Sequence, residues 1–164
     1  MKWPRRKPAF VYPIPPAPRT AVLAPWFRPE GLVRVFLGWT REAQEFAPEA
    51  VAATLAECEE LARIGVPSLS HALIVLEFEG GPYLTEPHRE RFWDVFRVPV
   101  FEQIIAGDGR LLAAECEAHC GLHVESLWTR EDIEVSPCAC GRKTPRWFPL
   151  GIAQPIQMAA KAGK

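Results

Sequence analysis

The sequence predicts an α/β fold whose core is a parallel strand-helix-strand unit. Ala72–Phe78 is a continuous apolar run of strand length, as expected for a strand covered on both faces. Glu86–Phe96 follows a Gly-Gly-Pro turn and predicts a helix, with Thr85 as its N-cap and Pro87 in its first turn. Another apolar run at residues 98–103 predicts the second strand, and this element order implies a crossover between parallel strands.

Two further elements are predicted before this unit. Residues 32–39 form a short apolar run in which Val33, Val35 and Leu37 alternate with Arg34 and Phe36, and this predicts a strand. A helix is predicted to begin at Pro48 and to end at Gly65, because apolar residues in this segment share one helical face. These residues are Val51, Leu55, Cys58 and Leu61 or Ala62. Cys58 is therefore predicted to be a core residue and not a metal ligand.

The amino-terminal segment is defined by proline and by positive charge. Residues 1–29 contain eight prolines and six basic residues, all before the first acid, Glu30. So many prolines predict an extended arm through which neither a helix nor a central strand runs. Its aromatic and aliphatic side chains predict that the arm lies on its own domain or on a partner protein, the alternative being a disordered tail.

The rest of the chain is predicted to form one domain and a tail. Residues 30–150 are assigned to a single α/β domain, and residues 151–164 to a frayed or partner-bound tail. Within the domain, Leu111–Glu115 and residues 122–127 are predicted to pair as antiparallel strands. They flank the first half of a cysteine-rich segment at residues 116–140.

Composition excludes several classes of protein. The 164 residues carry a formal net charge of −1, which disfavours a general nucleic-acid binder. No segment approaches the roughly 18 apolar residues of a membrane span. The basic start is not followed by the apolar run and cleavage site of a secretory signal, so a reducing, cytoplasmic location is expected.

The most chemically specific pattern is a Cys-x-x-His pair followed, after eighteen residues, by a Cys-x-Cys pair. Its members are Cys116, His119, Cys138 and Cys140. Two thiolate or imidazole donors from each half can close a tetrahedron around zinc, and Gly141 suits the tight turn of a zinc knuckle. The alternatives are buried or surface cysteines, disulfides, and a ligand set in which His123 or Cys120 replaces His119.

Residues 50–146 resemble the phenylacetate-CoA ligase branch of the adenylate-forming acyl-CoA ligases. Residues 80–91 are similar to the Gly-Gly-Glu-Pro-Leu-Thr turn of that branch and its following helix, and residues 98–102 are similar to the next strand. Residues 114–124 and 138–146 have close counterparts there, in the same order. The resemblance implies one lobe of the ligase amino-terminal domain, and it extends zinc binding to the four predicted ligands.

The nucleotide-binding parts of that family are not found in this sequence. The Tyr-Gly-x-Thr-Glu loop corresponds to residues 104–108 here, where only Asp108 keeps a carboxylate. A Ser/Thr/Gly-rich phosphate loop is missing upstream, and the carboxy-terminal domain with its catalytic lysine is missing downstream. The chain alone is therefore not expected to adenylate an acid, no catalytic residue is assigned, and binding of ATP or CoA is not expected.

Two functions fit this pattern of retained and missing parts. The first is a catalytically degenerate, zinc-binding, ligase-like domain that acts as an interaction or regulatory module. The second is an accessory subunit that completes an adenylation site with a partner chain, with residues 1–29 as the docking strap and Asp108 and His123 near the site. Hydrolytic or redox chemistry at the metal, with Glu115 or Glu117 as base, is a third hypothesis.

Overall fold

A single mixed β-sheet runs through the computed structural model, which describes residues 6–125 and 128–149. In chain order the strands are β1 (Thr20–Val22), β2 (Val33–Val35), β3 (Ala50–Thr54), β4 (Ala72–Phe78), β5 (Val100–Ile105), β6 (Leu111–Glu115), β7 (Leu122–Val124), β8 (Ile133–Glu134) and β9 (Arg146–Trp147). Their order across the nine-stranded sheet is β2-β1-β3-β4-β5-β6-β7-β9-β8. The pairs from β2 to β5 are parallel and those from β5 to β8 are antiparallel.

Three helices connect the parallel strands, namely α1 (Arg41–Glu45), α2 (Leu55–Ile64) and α3 (Glu86–Phe96). All three contribute buried side chains to one hydrophobic core, which also contains Leu73 and Val75 of β4. The neighbouring residues Ile74 and Leu76 belong to a second core on the opposite face of the sheet. The α/β class predicted from the sequence is therefore confirmed, whereas the likeness to a ligase lobe stays a prediction.

The predicted strand-helix-strand unit is present as β4, α3 and β5. β4 and α3 have the predicted bounds, Thr85 is the N-cap of α3, and β5 begins two residues later than predicted. β4 and β5 are parallel, with Leu73 opposite Val100. All but the last residue of β4 is buried, as expected for a strand covered on both faces.

The segment predicted as one helix from Pro48 to Gly65 is a strand followed by a helix. Residues 50–53, which include Val51, are fully buried in β3, between β1 and β4. α2 then begins at a capping box, in which the Glu57 N–H donates to Thr54 Oγ1 (3.4 Å) and the Thr54 N–H donates to Glu57 Oε2 (3.0 Å). The helix prediction was right only from Leu55 onward, and Cys58 is in the core as predicted.

The amino-terminal segment contributes a strand to the sheet. β1 lies inside the predicted arm, is fully buried and pairs with β2 on one side and β3 on the other. The prediction that no central strand runs here was therefore wrong, because residues 19–24 form a proline-free stretch between Pro18 and Pro25. Phe10 and Phe27 are buried in the second core, where their rings meet edge to face at 5.6 Å.

The antiparallel strands have a third hydrophobic core of their own. Its largest side chains are Trp128 and Trp147, whose rings meet edge to face at 5.1 Å. Trp128 Nε1–H donates to Glu79 Oε1 (2.9 Å), which ties this core to the end of β4. Within residues 6–125 and 128–149, none of the helices has the length and apolar character that a membrane span requires.

Candidate metal centre

Three cysteines and one histidine bring their donor atoms together at the antiparallel end of the sheet. They are Cys116, His123, Cys138 and Cys140, and their ligand atoms all lie within 4.8 Å of one another. Cys116 directly follows β6, His123 lies in β7, and the other two thiols lie in the turn between β8 and β9. The set therefore joins three separate segments of the chain at one point.

Two distances between donor atoms are close to the edges of a tetrahedral metal site. Cys116 Sγ and Cys138 Sγ are 3.7 Å apart, and Cys140 Sγ and His123 Nε2 are 3.3 Å apart. A zinc tetrahedron with ordinary Zn–S and Zn–N bonds has edges of about 3.8 Å between sulfurs and about 3.5 Å between sulfur and nitrogen. A disulfide needs about 2.05 Å between its sulfurs, and all five cysteines are free thiols. Of the sequence alternatives, the geometry favours a metal site over disulfides.

Backbone N–H groups surround the sulfur atoms. The backbone N–H of Ala118 donates to the Cys116 thiol, and the backbone N–H of Cys140 donates to the Cys138 thiol. The Arg142 N–H donates to Cys140 Sγ at 3.4 Å. In each case the donor lies two residues after the sulfur it contacts. Such donors stabilise thiolates, which are the form of cysteine that binds metal.

The knuckle turn needs a glycine. Gly141 has a φ of +86°, a conformation that L-residues with a Cβ rarely adopt. Its N–H donates to the carbonyl oxygen of Cys138 at 3.0 Å and closes the turn. The sequence pattern therefore predicted the role of Gly141 in this turn correctly.

The His123 ring is held by a second contact. Its Nδ1 lies 2.8 Å from Thr144 Oγ1, while Nε2 faces Cys140 Sγ. If Nδ1 carries the proton and donates to the hydroxyl oxygen, Nε2 is left with a free lone pair for a metal. Burial, helped by the charge of Arg142, lowers the pKa of His123 and so favours the neutral ring that metals bind.

The thiols differ in how readily they ionise without a metal. Burial raises the pKa of Cys116 to about 12. For Cys138 burial acts in the same direction, but hydrogen bonds from the Cys140 backbone and from the neighbouring thiols outweigh it and lower the pKa. Metal binding at this centre therefore requires the release of at least the Cys116 proton.

His119, one of the four predicted ligands, lies outside the cluster, and His123 occupies the fourth position. His119 has a left-handed backbone (φ +48°), its Nδ1 lies 3.4 Å from Glu115 Oε1, and its ring stacks on Phe101 at 4.8 Å. The set containing His119 is corrected accordingly. Cys120, the other alternative, is also outside the cluster and accepts a hydrogen bond from Arg146 Nη1 at 3.1 Å.

The register of the β6–β7 hairpin explains why His123 is the better placed histidine. Ala114 pairs with His123 and Glu115 pairs with Leu122, so Cys116 and His123 lie diagonally on one face of the hairpin. A Cys-x-x-His pair can bind one metal ion when both residues lie in a single turn. Here the chain reverses direction between β6 and β7, and His119 is not among the clustered donors. The sequence signal for His123 was its place in the predicted second strand of this hairpin.

The segment that corresponds to the nucleotide loop of the ligases has a different structure here. Ile104 and Ile105 are fully buried in β5. The Asp108 carboxylate accepts hydrogen bonds from Arg110 Nε at 2.9 and 3.2 Å in the exposed turn that follows. Asp108 is a turn residue in this geometry.

The chain was compared with known proteins. A scan against protein-family models gives no match, and a search of curated proteins gives no match either. The relationship to the phenylacetate-CoA ligase branch therefore stays a prediction from the sequence motifs.

Proposed function

We propose that this chain is a zinc-stabilised, ligase-like α/β module that acts as an interaction or regulatory domain and does not catalyse adenylation by itself. The observation that carries the proposal is the Cys₃His cluster, whose four donor atoms lie within 4.8 Å of one another, so that four protein side chains are available for one metal ion. Closed sites of this kind are typical of structural zinc, whereas catalytic zinc keeps one position for water or substrate. Thiolate and imidazole donors also favour zinc over magnesium or calcium.

The remaining arguments come from the sequence motifs. The pieces that resemble the ligases are the scaffold and the cysteine-rich segment, whereas residues 104–108, which correspond to the nucleotide loop of that family, keep only one carboxylate, Asp108. The accessory-subunit hypothesis used residues 1–29 as a docking strap. Phe10 and Phe27 are buried against the chain's own sheet, so these two aromatic side chains of the arm already have a binding surface within the chain.

Metal analysis of matched variants tests the site. The purified protein is expected to contain one zinc per chain, and cobalt(II) substitution is expected to give the absorption of a tetrahedral thiolate site. His123→Ala is expected to abolish stoichiometric binding, because it removes one of four corners, whereas His119→Ala is expected to leave it unchanged. A metal-free wild-type protein, or loss of metal with His119→Ala and not with His123→Ala, would contradict the assignment.

The non-catalytic part has its own test. Pyrophosphate exchange into ATP, measured with phenylacetate and other carboxylic acids, is expected to stay at the background of a heat-denatured sample. Acid-dependent exchange by the purified chain would show that it adenylates unaided and would overturn this part of the proposal.

A further inference from the structure

A cavity that borders several charged side chains lies beside α3 and the strands β5 and β6, and none of the four candidate metal ligands lines it. Its volume is about 540 Å³, within the range of ordinary ligand pockets. Glu86, Glu90 and Trp93 of α3 line one side, and Val98 and Val100 line the other. Glu115, which is buried, and His119 also line it, with His119 Nδ1 3.4 Å from Glu115 Oε1.

The positive charge of Arg89, which also borders the cavity, is already neutralised. Its Nη2 lies 3.0 Å from Glu115 Oε1 and 3.5 Å from Glu102 Oε2, and its Nη1 donates to the Val100 carbonyl at 3.1 Å. Three carboxylates line the cavity against this one guanidinium, so negative charge remains in excess even when His119 is protonated. An anionic ligand is disfavoured here and a cationic ligand is favoured.

The outer wall of the cavity combines carboxylates with an unpaired aromatic ring. Glu86, Glu90 and Trp93 follow each other at the i, i+4, i+7 spacing and so lie along one face of α3. Trp93 itself is 49% exposed, and its ring contacts no other ring in the part of the chain that the structure describes. The Glu90 carboxylate likewise has no ion pair with another described residue, in contrast to Glu59 and Glu60 on α2. Glu86 Oε1 lies 3.9 Å from Arg89 Nε, so Glu90 is the cavity carboxylate without an ion pair to a described residue. An indole face beside a free carboxylate recognises organic cations.

We propose that this cavity binds a lysine or arginine side chain of a partner polypeptide, which names the partner chemistry for the interaction role proposed above and rests on it. The apolar stem of such a side chain would lie against Trp93 and Val98, and its charged end would meet Glu90, with Glu86 one helical turn away. The rim is open to solvent, since the Glu86 side chain is 56% exposed, so a side chain still attached to a polypeptide can enter.

A binding measurement with matched variants tests this inference. The probe is a short fluorescein-labelled peptide containing arginine and lysine, and its glutamine-substituted counterpart is the uncharged control. Fluorescence anisotropy is expected to show saturable, salt-sensitive binding of the basic peptide only. Trp93→Ala and Glu90→Gln are each expected to weaken it about twofold to fivefold, as for exposed cation–π and ion-pair contacts.

Two control variants change the same kinds of side chain outside the cavity. Val95→Ala removes an exposed apolar group from the same helix, and Glu42→Gln removes one carboxylate from α1. Both are expected to change the affinity less than twofold. Absence of binding, or equal weakening by the control and cavity variants, would overturn the inference.

Two further measurements are made. One distinguishes a small amine from a polypeptide as the ligand, and the other distinguishes this inference from the proposed role of zinc. Free agmatine that competes as strongly per mole as the peptide would assign the cavity to a small amine and overturn the polypeptide partner. Zinc is measured on the same samples. Zinc-loaded protein that fails to bind the peptide overturns this inference alone, whereas metal-free protein that binds it normally overturns the zinc-dependent function alone.

Discussion

Hydrogen bonds hold individual side chains around the candidate metal centre. Thr144 is the clearest case, because its hydroxyl lies 2.8 Å from the ring nitrogen of His123 that faces away from the thiols. Such a contact fixes the orientation of the ring and the position of its proton. Thr144 is therefore expected to raise the metal affinity without touching the metal.

Replacement of this hydroxyl gives the first prediction. Thr144→Val is expected to lower the zinc affinity by about 10- to 100-fold, the usual cost of losing such a supporting contact. Thr144→Ser keeps the hydroxyl and is expected to restore most of it. Competition with a chromogenic chelator measures both, and equal affinities of the valine variant and the wild type would show that Thr144 does not support His123.

A second residue of interest is Glu77, which is buried beside Glu102 on the helix-covered face of the sheet. When Glu77 is ionised, neither of its carboxylate oxygens accepts a hydrogen bond from a described residue. Burial, together with a hydrogen bond to the Glu102 carboxyl, raises the pKa of Glu77 to about 11. Glu77 is therefore protonated at neutral pH in the folded protein and ionised in the unfolded chain, whose glutamates titrate near pH 4.3.

This difference predicts how stability depends on pH. Because the folded state holds the extra proton, the contribution of Glu77 to the free energy of unfolding decreases as pH rises above about 4.3, by up to about 1.4 kcal/mol per pH unit. Glu77→Gln keeps a donor toward Glu102 but cannot ionise, so its stability is expected to fall less between pH 5 and pH 8. Urea denaturation at both pH values tests this, with the exposed Glu60→Gln as control, and parallel declines in all three proteins would contradict it.

Secondary-structure elements in this chain begin and end at local signals that are stronger than their periodicity. α2 shows this, because its start is set by the capping box of Thr54 and Glu57 and not by the apolar stripe that extends back to Val51. Small residues in β3 allow that strand to lie buried between two neighbours. A helix cap can therefore separate two elements even where one apolar pattern runs through both.

The cap has a measurable contribution. Thr54→Ala is expected to lower the free energy of unfolding by about 1 kcal/mol, because the first-turn N–H of Glu57 loses its acceptor. For a chain of this size that corresponds to roughly 2–4 °C in melting temperature. Thermal unfolding followed by circular dichroism measures it, with the exposed Ser70→Ala as control. An unchanged melting temperature would show that packing alone fixes the start of α2.

At the scale of the whole molecule the sheet has two unlike halves. The parallel strands β1 to β5 are buried between the helices and the amino-terminal segment, with a core on each face. The antiparallel strands β6 to β9 are short and have one smaller core. The metal ligands lie in this second half, where they join segments that backbone pairing holds through only a few residues.

Metal removal is therefore expected to loosen one half before the other. In a chelator, amide hydrogens of residues 111–149 are expected to exchange faster by an order of magnitude or more, while those of β3, β4 and β5 keep their protection. Hydrogen exchange read by mass spectrometry distinguishes the halves. The Glu42→Gln protein, with all its metal ligands intact, should respond to chelator as the wild type does. Uniform acceleration over the whole chain would show instead that the metal stabilises a single cooperative unit.

Local patterns predicted those parts of the fold that depend on local chemistry. β4 and α3 match their predicted bounds, because a long apolar run and a capped amphipathic segment have few alternative structures. β1 was missed because prolines dominate the composition around a three-residue strand that only its two neighbours stabilise. Pairing with distant strands is not visible in a short window of sequence.

The sequence by itself determined that this is an α/β protein with a Cys/His metal motif, since hydrophobic periodicity and ligand spacing are local properties of the chain. It also determined three of the four clustered donors, Cys116, Cys138 and Cys140. The tertiary structure decided which histidine joins them, because the hairpin register places His123 on the same face as Cys116 and turns His119 toward Glu115. It also decided that Glu86, Glu90 and Trp93 face a cavity, because the opposite wall comes from strands that fold back against α3.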